Sequence, residues 1–175
     1  NLNDYKTVRT IVAHLDAVVD IVIVSVHSGG EGTEHKHITR KKELFLGEDR
    51  GNPYEFARVA IDAGADIVLG HGPHVPRAVD IYRDRFIAYS LGNFATYRRF
   101  NLKGSSGLAP ILKITVNREG EFRSARVYSA LQKGSGGPSP DPSRAAFKEI
   151  CALTRRDIPE SGLAFGETGE ISRKR

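Results

Sequence analysis

The fold is decided by the stretch from residue 20 to residue 70. In it, DIVIVSV (20–26) is followed by a glycine-rich segment, a helical segment that starts at Pro53, and DIVLG (66–70). The first run is apolar and β-branched at successive positions, which is typical of an interior parallel strand covered on both faces. Pro53 is favoured at a helix start, and Gly64 is placed to end that helix. This order predicts a strand–helix–strand unit with a right-handed crossover.

Helical and strand patterns continue on both sides of this unit. Apolar residues recur at helical spacing between residues 5 and 18. Two hairpins are predicted between residues 78 and 130, and a short helix at 144–154. A chain of 175 residues has room for one domain. We therefore expect a single α/β domain segment over residues 1–175, with an irregular tail from about residue 158.

Composition excludes several classes of protein. Hydrophobic residues make up 39% and charged residues 27%, as in an ordinary globular protein. No apolar run approaches the ~18 residues of a membrane span, so no transmembrane segment is expected in this chain. The single cysteine, Cys151, excludes an internal disulfide framework and a cysteine zinc cage. The chain begins at Asn1 and contains no methionine, so we expect an N-terminal part to be missing.

The net charge of +5, from 26 basic and 21 acidic residues, does not identify a nucleic-acid partner. A nucleic-acid surface usually shows a basic stripe with interleaved aromatic residues, and the nearest case here is the short YRRF at 97–100. We expect a solvated surface and no nucleic-acid partner. The alternative is a mild preference for anionic ligands.

Histidines follow the two strands of the central unit. His27 comes directly after the first strand and His71 directly after the second, and His74 lies three residues further on, in GHGPH (70–74). In an open parallel sheet, ligands gather at the carboxyl ends of the strands, and neighbouring strands lie about 4.8 Å apart. The sequence therefore predicts that the three imidazoles converge.

Three convergent histidines with Glu31 nearby suit a hydrolytic site for a divalent transition metal, because imidazole is the commonest protein ligand for such ions. The alternative is that each histidine is an isolated loop or core residue, the usual state of a single histidine. His35 and His37 are candidates for holding substrate or a further metal, and a solvated loop is an equal alternative.

Other common chemistries lack their motifs. Ser28 and Ser90 are outside a Gly-x-Ser-x-Gly elbow, and Cys151 has no histidine near it in sequence. The chain contains no P-loop, and no Gly-x-Gly-x-x-Gly opens a helix after a strand. These patterns disfavour nucleophilic triads and those modes of nucleotide binding.

Three segments resemble, in order, the motifs of the CapA family. VSVHSGGE (24–31) is similar to V-S-x-H-W-G-x-E, GADIVLGHGPHV (64–75) to G-A-D-x-V-x-G-H-x-P-H-V, and IAYSLGNF (87–94) to I-x-Y-S-L-G-N-F. Members of this family are poly-gamma-glutamate and capsule biosynthesis proteins of the calcineurin-like metallophosphoesterase superfamily. The resemblance spans roughly residues 20–157. It departs in the longer loop from residue 33 to residue 52, and where the family's usual Trp is replaced by serine.

The resemblance implies a layered α/β/β/α sandwich, of which this chain is expected to be the C-terminal half. It implies a centre of two divalent ions (Mn, Fe or Zn) at the strand ends, with His27 as one ligand and His71 and His74 split between the two ions. Glu31 and Asn93 match family positions near the site, although Asn93 has the alternative of serving a turn. His35, His37 and Asn93 are the candidate substrate-binding residues.

The family's early motifs are expected before residue 1, so a missing N-terminal segment or a second chain would complete the site. The resemblance then implies metal-dependent hydrolysis of a phosphoester or related anionic bond. Glu31 and His27 are the candidate catalytic residues that would protonate the leaving oxygen, and we expect Glu31 to be the better candidate because His27 cannot give a proton while it is bound to metal. The alternatives are a non-catalytic accessory of polyanionic polymer synthesis or export, with a structural or absent metal, and a metal-free interaction domain. The family implies an envelope or extracytoplasmic location, with the cytoplasm left open.

Overall fold

The computed structural model describes residues 2–97, 100–134 and 136–174. It contains three α-helices: α1 (Tyr5–Asp16), α2 (Pro53–Asp62) and α3 (Ala145–Asp157). Local chemistry sets the first two helix starts, because the Asp4 carboxylate accepts from the Thr7 amide at 3.1 Å and the Asn52 side chain accepts from the Glu55 amide at 3.2 Å. None of the helices in the described ranges has the length and apolar content needed to span a bilayer.

The strands form two main sheets and a small hairpin. The first sheet has the order β1-β4-β6-β5, the second β10-β11-β8-β7 with β9 paired to β8, and β2 pairs with β3. In chain order the strands are β1 (Ile23–Val26), β2 (Leu44–Phe45), β3 (Glu48–Asp49), β4 (Ile67–Gly70), β5 (Val79–Tyr82), β6 (Arg85–Ala88), β7 (Leu108–Val116), β8 (Phe122–Gln132), β9 (Pro138–Pro140), β10 (Leu163–Phe165) and β11 (Glu170–Arg173).

The predicted strand–helix–strand unit is confirmed. Strands β1 and β4 are parallel neighbours connected through α2, with Val26 opposite Gly70 in the register. The His71 amide donates to the Val26 carbonyl at 3.0 Å. The residues that follow these two strands, including His27 and His71, therefore leave the same edge of the sheet side by side.

The prediction that the first strand is interior and covered on both faces is wrong. Within the described residues β1 pairs only with β4, so it lies at the edge of its sheet. Its residues alternate between exposed and half-buried, and Ile23 is 56% exposed. Helix α1 is also exposed over much of its surface, with Val12 as its buried residue. An apolar, β-branched run indicates a strand, but its position within the sheet is set by the neighbours available.

Two apolar clusters give the molecule its layers. One packs α1 and α2 against the first sheet, and the other fills the space between the first and second sheets. Helix α3 contributes to both, with Leu153 in the first cluster and Phe147 and Ile150 in the second. This mixed α/β arrangement of helices and two stacked sheets is the architecture expected of a metallophosphoesterase-like fold.

The predicted hairpins and the predicted helix after residue 144 are confirmed. The expected irregular tail after residue 158 is corrected, because β10 and β11 add two antiparallel strands there. The segment before α3 contains a further short strand, β9, which the sequence analysis did not predict. These three strands have three or four residues each, so their pairing partners, rather than their own patterns, hold them in place.

The loops after β1 and β4 touch at Gly72, and this contact gives a test. A Cβ added at Gly72 would lie 2.1 Å from the Ser28 carbonyl oxygen, and backbone cannot move aside as a flexible side chain can. We expect Gly72→Ala to lower the free energy of unfolding by about 1–3 kcal/mol, measured by urea denaturation. Gly136→Ala is the control, because a Cβ there meets nothing within 4 Å. Equal stability of the two variants would contradict this contact.

Candidate metal centre

Three side chains meet at the carboxyl ends of β1 and β4. His27, Glu31 and His74 each offer one ligand atom, and these atoms all lie within 4.8 Å of one another. The His27 and His74 ring centroids are 5.3 Å apart, with an edge-to-face arrangement. His27 is exposed, and the other two are half-buried. The structure thus brings together two of the predicted histidines with the predicted carboxylate.

The orientation of His74 is fixed by Asn93. The Asn93 side-chain nitrogen donates to the carbonyls of His74 and Ser106, at 3.0 and 3.1 Å. The Asn93 oxygen therefore faces His74 Nδ1, at 2.9 Å, which assigns the proton to Nδ1. Nε2 keeps its lone pair for a cation, an arrangement typical of metal-binding histidines. Asn93 contacts a candidate ligand, and its predicted substrate-binding role stays a prediction.

The loop that carries Glu31 is anchored by a buried ion pair. The Arg77 guanidinium donates to both Glu43 carboxylate oxygens, at 3.0 and 2.8 Å, and the Gly30 amide donates to the same carboxylate at 2.8 Å. The Arg77 and Glu43 side chains are only 0% and 6% exposed. Sequence reasoning missed both residues, because Glu43 lies in a polar, charged loop and its partner is 34 positions away.

His71 leaves the sheet beside His27 but stands apart from the cluster. Among the residues that the structure describes, the group with mutually close ligand atoms does not include it. Burial, and then the charge of His27, lower the pKa of His71 below its usual value. Both effects favour the neutral imidazole, the form that binds metals. Its role as a ligand, split with His74 between two ions, stays a prediction.

The two histidines of the long loop make contacts within the fold. The His35 ring packs on Gly30, where a Cβ would lie 2.3 Å from Nδ1, and meets the Phe45 ring edge-to-face at 5.8 Å. His37 Nδ1 lies 3.0 Å from an Asp157 carboxylate oxygen at the end of α3. The structure gives both residues a part in holding the loop, and their substrate-binding role stays a prediction.

A cavity of about 400 Å³ opens beside the cluster. Glu31, His74 and Asn93 form its polar wall, and Phe45 and Phe100 supply aromatic surface. The Phe100 ring lies 5.7 Å from that of His74. Sequence reasoning did not assign Phe45, although the apolar island LFL (44–46) within a polar loop was the available signal.

A cation that the sequence did not single out also lies against the cluster. Arg50 Nη2 is 3.3 Å from a Glu31 carboxylate oxygen and 3.1 Å from a Glu48 carboxylate oxygen. The Arg50 guanidinium carbon lies 5.5 Å from the Phe45 ring centroid. The site therefore combines metal-ligand donors, a fixed positive charge and an aromatic-walled cavity, which together suit an anionic ligand with an organic part.

Comparison with known proteins agrees with the motifs in these loops. A family model described as bacterial capsule synthesis protein PGA_cap matches residues 2–98. The capsule biosynthesis protein CapA of Bacillus anthracis is 40% identical over 75 residues, which cover 43% of this chain and 15% of that protein. The PGA biosynthesis protein CapA of Bacillus subtilis is 37% identical over 75 residues, with 43% and 16% covered.

A probable polyglutamine synthesis accessory protein of Mycobacterium tuberculosis is 36% identical over 74 residues, which cover 42% of this chain and 16% of that protein. The matched part thus spans about a sixth of the length of the curated relatives. The family match includes His27, Glu31, His74 and Asn93, so the whole cluster and its orienting amide lie inside it.

The contact between Asn93 and His74 predicts an effect on metal affinity. Asn93→Leu removes the acceptor that keeps the proton on Nδ1, so we expect Mn²⁺ or Zn²⁺ to bind about 10–100-fold more weakly by titration calorimetry. Asn101→Leu is the matched control, because Asn101 lines the same cavity but, within the described residues, its side chain accepts from the nearby Lys103 amide and makes no hydrogen bond to the cluster. If both variants bind metal equally, Asn93 does not orient a ligand.

Proposed function

Because the chain belongs to the bacterial capsule synthesis protein family PGA_cap, we propose that it acts in the synthesis of a capsule or poly-gamma-glutamate polymer. We propose further that its chemistry is metal-dependent hydrolysis of a phosphoester or related anionic bond. The observation that carries this second proposal is the meeting of His27, Glu31 and His74 within 4.8 Å.

The donor set fits a divalent transition metal. Two imidazoles and one carboxylate are ligands that Zn, Mn and Fe accept, and three protein ligands leave a coordination position open, as in catalytic sites. The Asn93 contact supplies the outer support that such histidines usually have. A bound ion would polarise the oxygens of an anion and lower the pKa of a coordinated water.

The remaining steps are proposed for the chain's own residues. Glu31 borders both the cluster and the cavity, so it is placed either to protonate a leaving oxygen or to join the ligand set. Phe45 and Phe100 give the organic part of an ester an apolar surface to pack on. Cys151 is not a competing nucleophile, because burial raises the pKa of its thiol to about 12.

A centre with two ions needs more ligands than this cluster holds. We propose that His71 serves the second ion and that residues from a further segment or a second chain complete the set. Two features support this proposal: His71 lies next to His27, close enough for their charges to interact, and within the described residues β1 pairs along only one of its two edges.

The second candidate function is a non-catalytic accessory of polymer synthesis, in which the ion is structural or binds the polyanion. The similarity to a protein whose name describes it as an accessory of polyglutamine synthesis favours it. The two candidates share the metal cluster and differ in turnover, so metal binding and hydrolysis have to be measured separately.

The metal proposal predicts specific binding to the chain. We expect purified, chelator-treated protein to bind Mn²⁺ or Zn²⁺ in titration calorimetry. His27→Ala and His74→Ala each remove a ligand, so they should weaken binding at least as much as the ~10–100-fold loss expected when a residue that only orients a ligand is changed. His14→Ala in α1 is the control, because it removes an imidazole far along the chain from the cluster. Absence of binding, or an equal loss in the control, would overturn the metal proposal.

The role of Glu31 is tested by Glu31→Gln with an aryl phosphate ester as substrate. If Glu31 is the acid, turnover should fall by about 10²–10⁴-fold with metal content unchanged. If the metal is lost as well, Glu31 belongs to the ligand set. A wild-type protein that holds metal but gives no turnover with phosphate esters would favour the accessory function.

A further inference from the structure

Arg50 contacts both the candidate metal cluster, through Glu31, and the aromatic wall of the cavity, through Phe45. Its guanidinium contacts the Glu31 carboxylate at 3.3 Å and the Glu48 carboxylate at 3.1 Å, and it lies over the Phe45 ring. Arg50 Nε is buried and has no hydrogen-bond partner in the described part of the chain. The guanidinium therefore keeps unused donor capacity while it neutralises a candidate metal ligand.

Two hydrogen bonds hold the Arg50 backbone beside the loop after β1. The Arg50 amide donates to the Glu43 carbonyl at 2.9 Å, and the Gly29 amide donates to the Arg50 carbonyl at 2.8 Å. Glu43 is fixed in turn by its buried pair with Arg77. The Arg50 backbone is therefore anchored beside the cluster, and only its side chain has to reorient when the guanidinium exchanges one anionic partner for another.

The charges of the cluster change when a cation enters. Without metal, Glu31 balances Arg50. A divalent ion that coordinates Glu31 takes this carboxylate and adds two positive charges close to the guanidinium, in a partly buried site where screening is weaker than in water. The second partner, Glu48, has a side chain that is 70% exposed, so it offers only a weak, screened attraction. The metal-loaded site then has an excess of positive charge.

We propose that Glu31 and Arg50 form an exchangeable ion pair: cation binding to Glu31 releases Arg50 to bind the oxyanion of the substrate in the cavity beside Phe45. This rests on the proposed metal centre, with Glu31 in its ligand set. The planar guanidinium fork matches phosphoryl and carboxylate groups. Metal and oxyanion accordingly bind with positive cooperativity, and each tightens the binding of the other by the same factor.

The test measures this coupling by titration calorimetry, with inorganic phosphate as probe, in the presence and absence of Mn²⁺. Acetate in a parallel series separates a phosphoryl preference from a carboxylate preference. In the wild type we expect Mn²⁺ to tighten phosphate binding by about tenfold or more. In Arg50→Gln we expect this factor to fall at least about fivefold, while Mn²⁺ binds as well as before or more tightly, because Glu31 is no longer held by a cation.

Lys42→Gln is the matched control, because Lys42 is a cation of the same hairpin that pairs with Asp49 at 2.6 Å. It should keep the full coupling. Arg50→Lys keeps the charge without the fork and should retain part of it. Thermal unfolding reports whether each variant folds. If Arg50→Gln does not fold, the coupling factor measured in Arg50→Lys is the test, and an undiminished factor there contradicts the proposal.

Two results would overturn the exchange. The first is a coupling factor between Mn²⁺ and phosphate that falls less in Arg50→Gln than the expected fivefold. The second is a loss of Mn²⁺ affinity in that variant, which would mean that Arg50 serves only to hold the loop. If the wild type binds Mn²⁺ but shows no coupling to either anion, the exchange alone fails. If the wild type binds no Mn²⁺, the proposed metal centre fails first, and the exchange fails with it.

Discussion

The buried pair between Glu43 and Arg77 is the interaction on which the candidate centre depends. It joins three parts that are distant in sequence: the β2–β3 hairpin, the loop after β1 and the segment between β4 and β5. Two buried charges are costly to desolvate, so this pair is tolerated only because its hydrogen bonds are nearly all satisfied. The pair positions the loop after β1, because the same Glu43 carboxylate accepts from the Gly30 amide and so limits where the Glu31 side chain can lie.

The elements that could be predicted from the sequence are those with a long periodic pattern or with more than one independent signal. The unit of β1, α2 and β4 has an apolar run at each end and a proline at the helix start, and the β7–β8 hairpin has strands of nine and eleven residues. Strands β9, β10 and β11 could not be predicted, because three or four residues carry no period. The edge position of β1 was missed because composition shows what a strand could bury, not which neighbours it has.

The candidate site was predictable where residues of a metal-binding type lie in the loops that follow predicted strands. His27 and His74 follow strand ends and Glu31 sits in the adjoining loop, so topology brings them to the same edge of the sheet, and the contacts of the loops decide which of them meet. Arg50 and Arg77 could not be predicted, because arginine is common and their roles come from partners 19 and 34 positions away, Glu31 and Glu43. His37 shows the converse, since a suggestive histidine spacing is explained by a contact with α3.

Strand β1 lies next to the candidate centre and, within the described residues, one of its edges is unpaired. A strand edge presents peptide groups that can pair with any extended chain, and its last residue, Val26, directly precedes His27. A strand added there would bring new backbone and new side chains close to the candidate metal ligands. Strand pairing and the candidate centre therefore meet at one four-residue strand, so a chain that paired with β1 would also change the surroundings of His27.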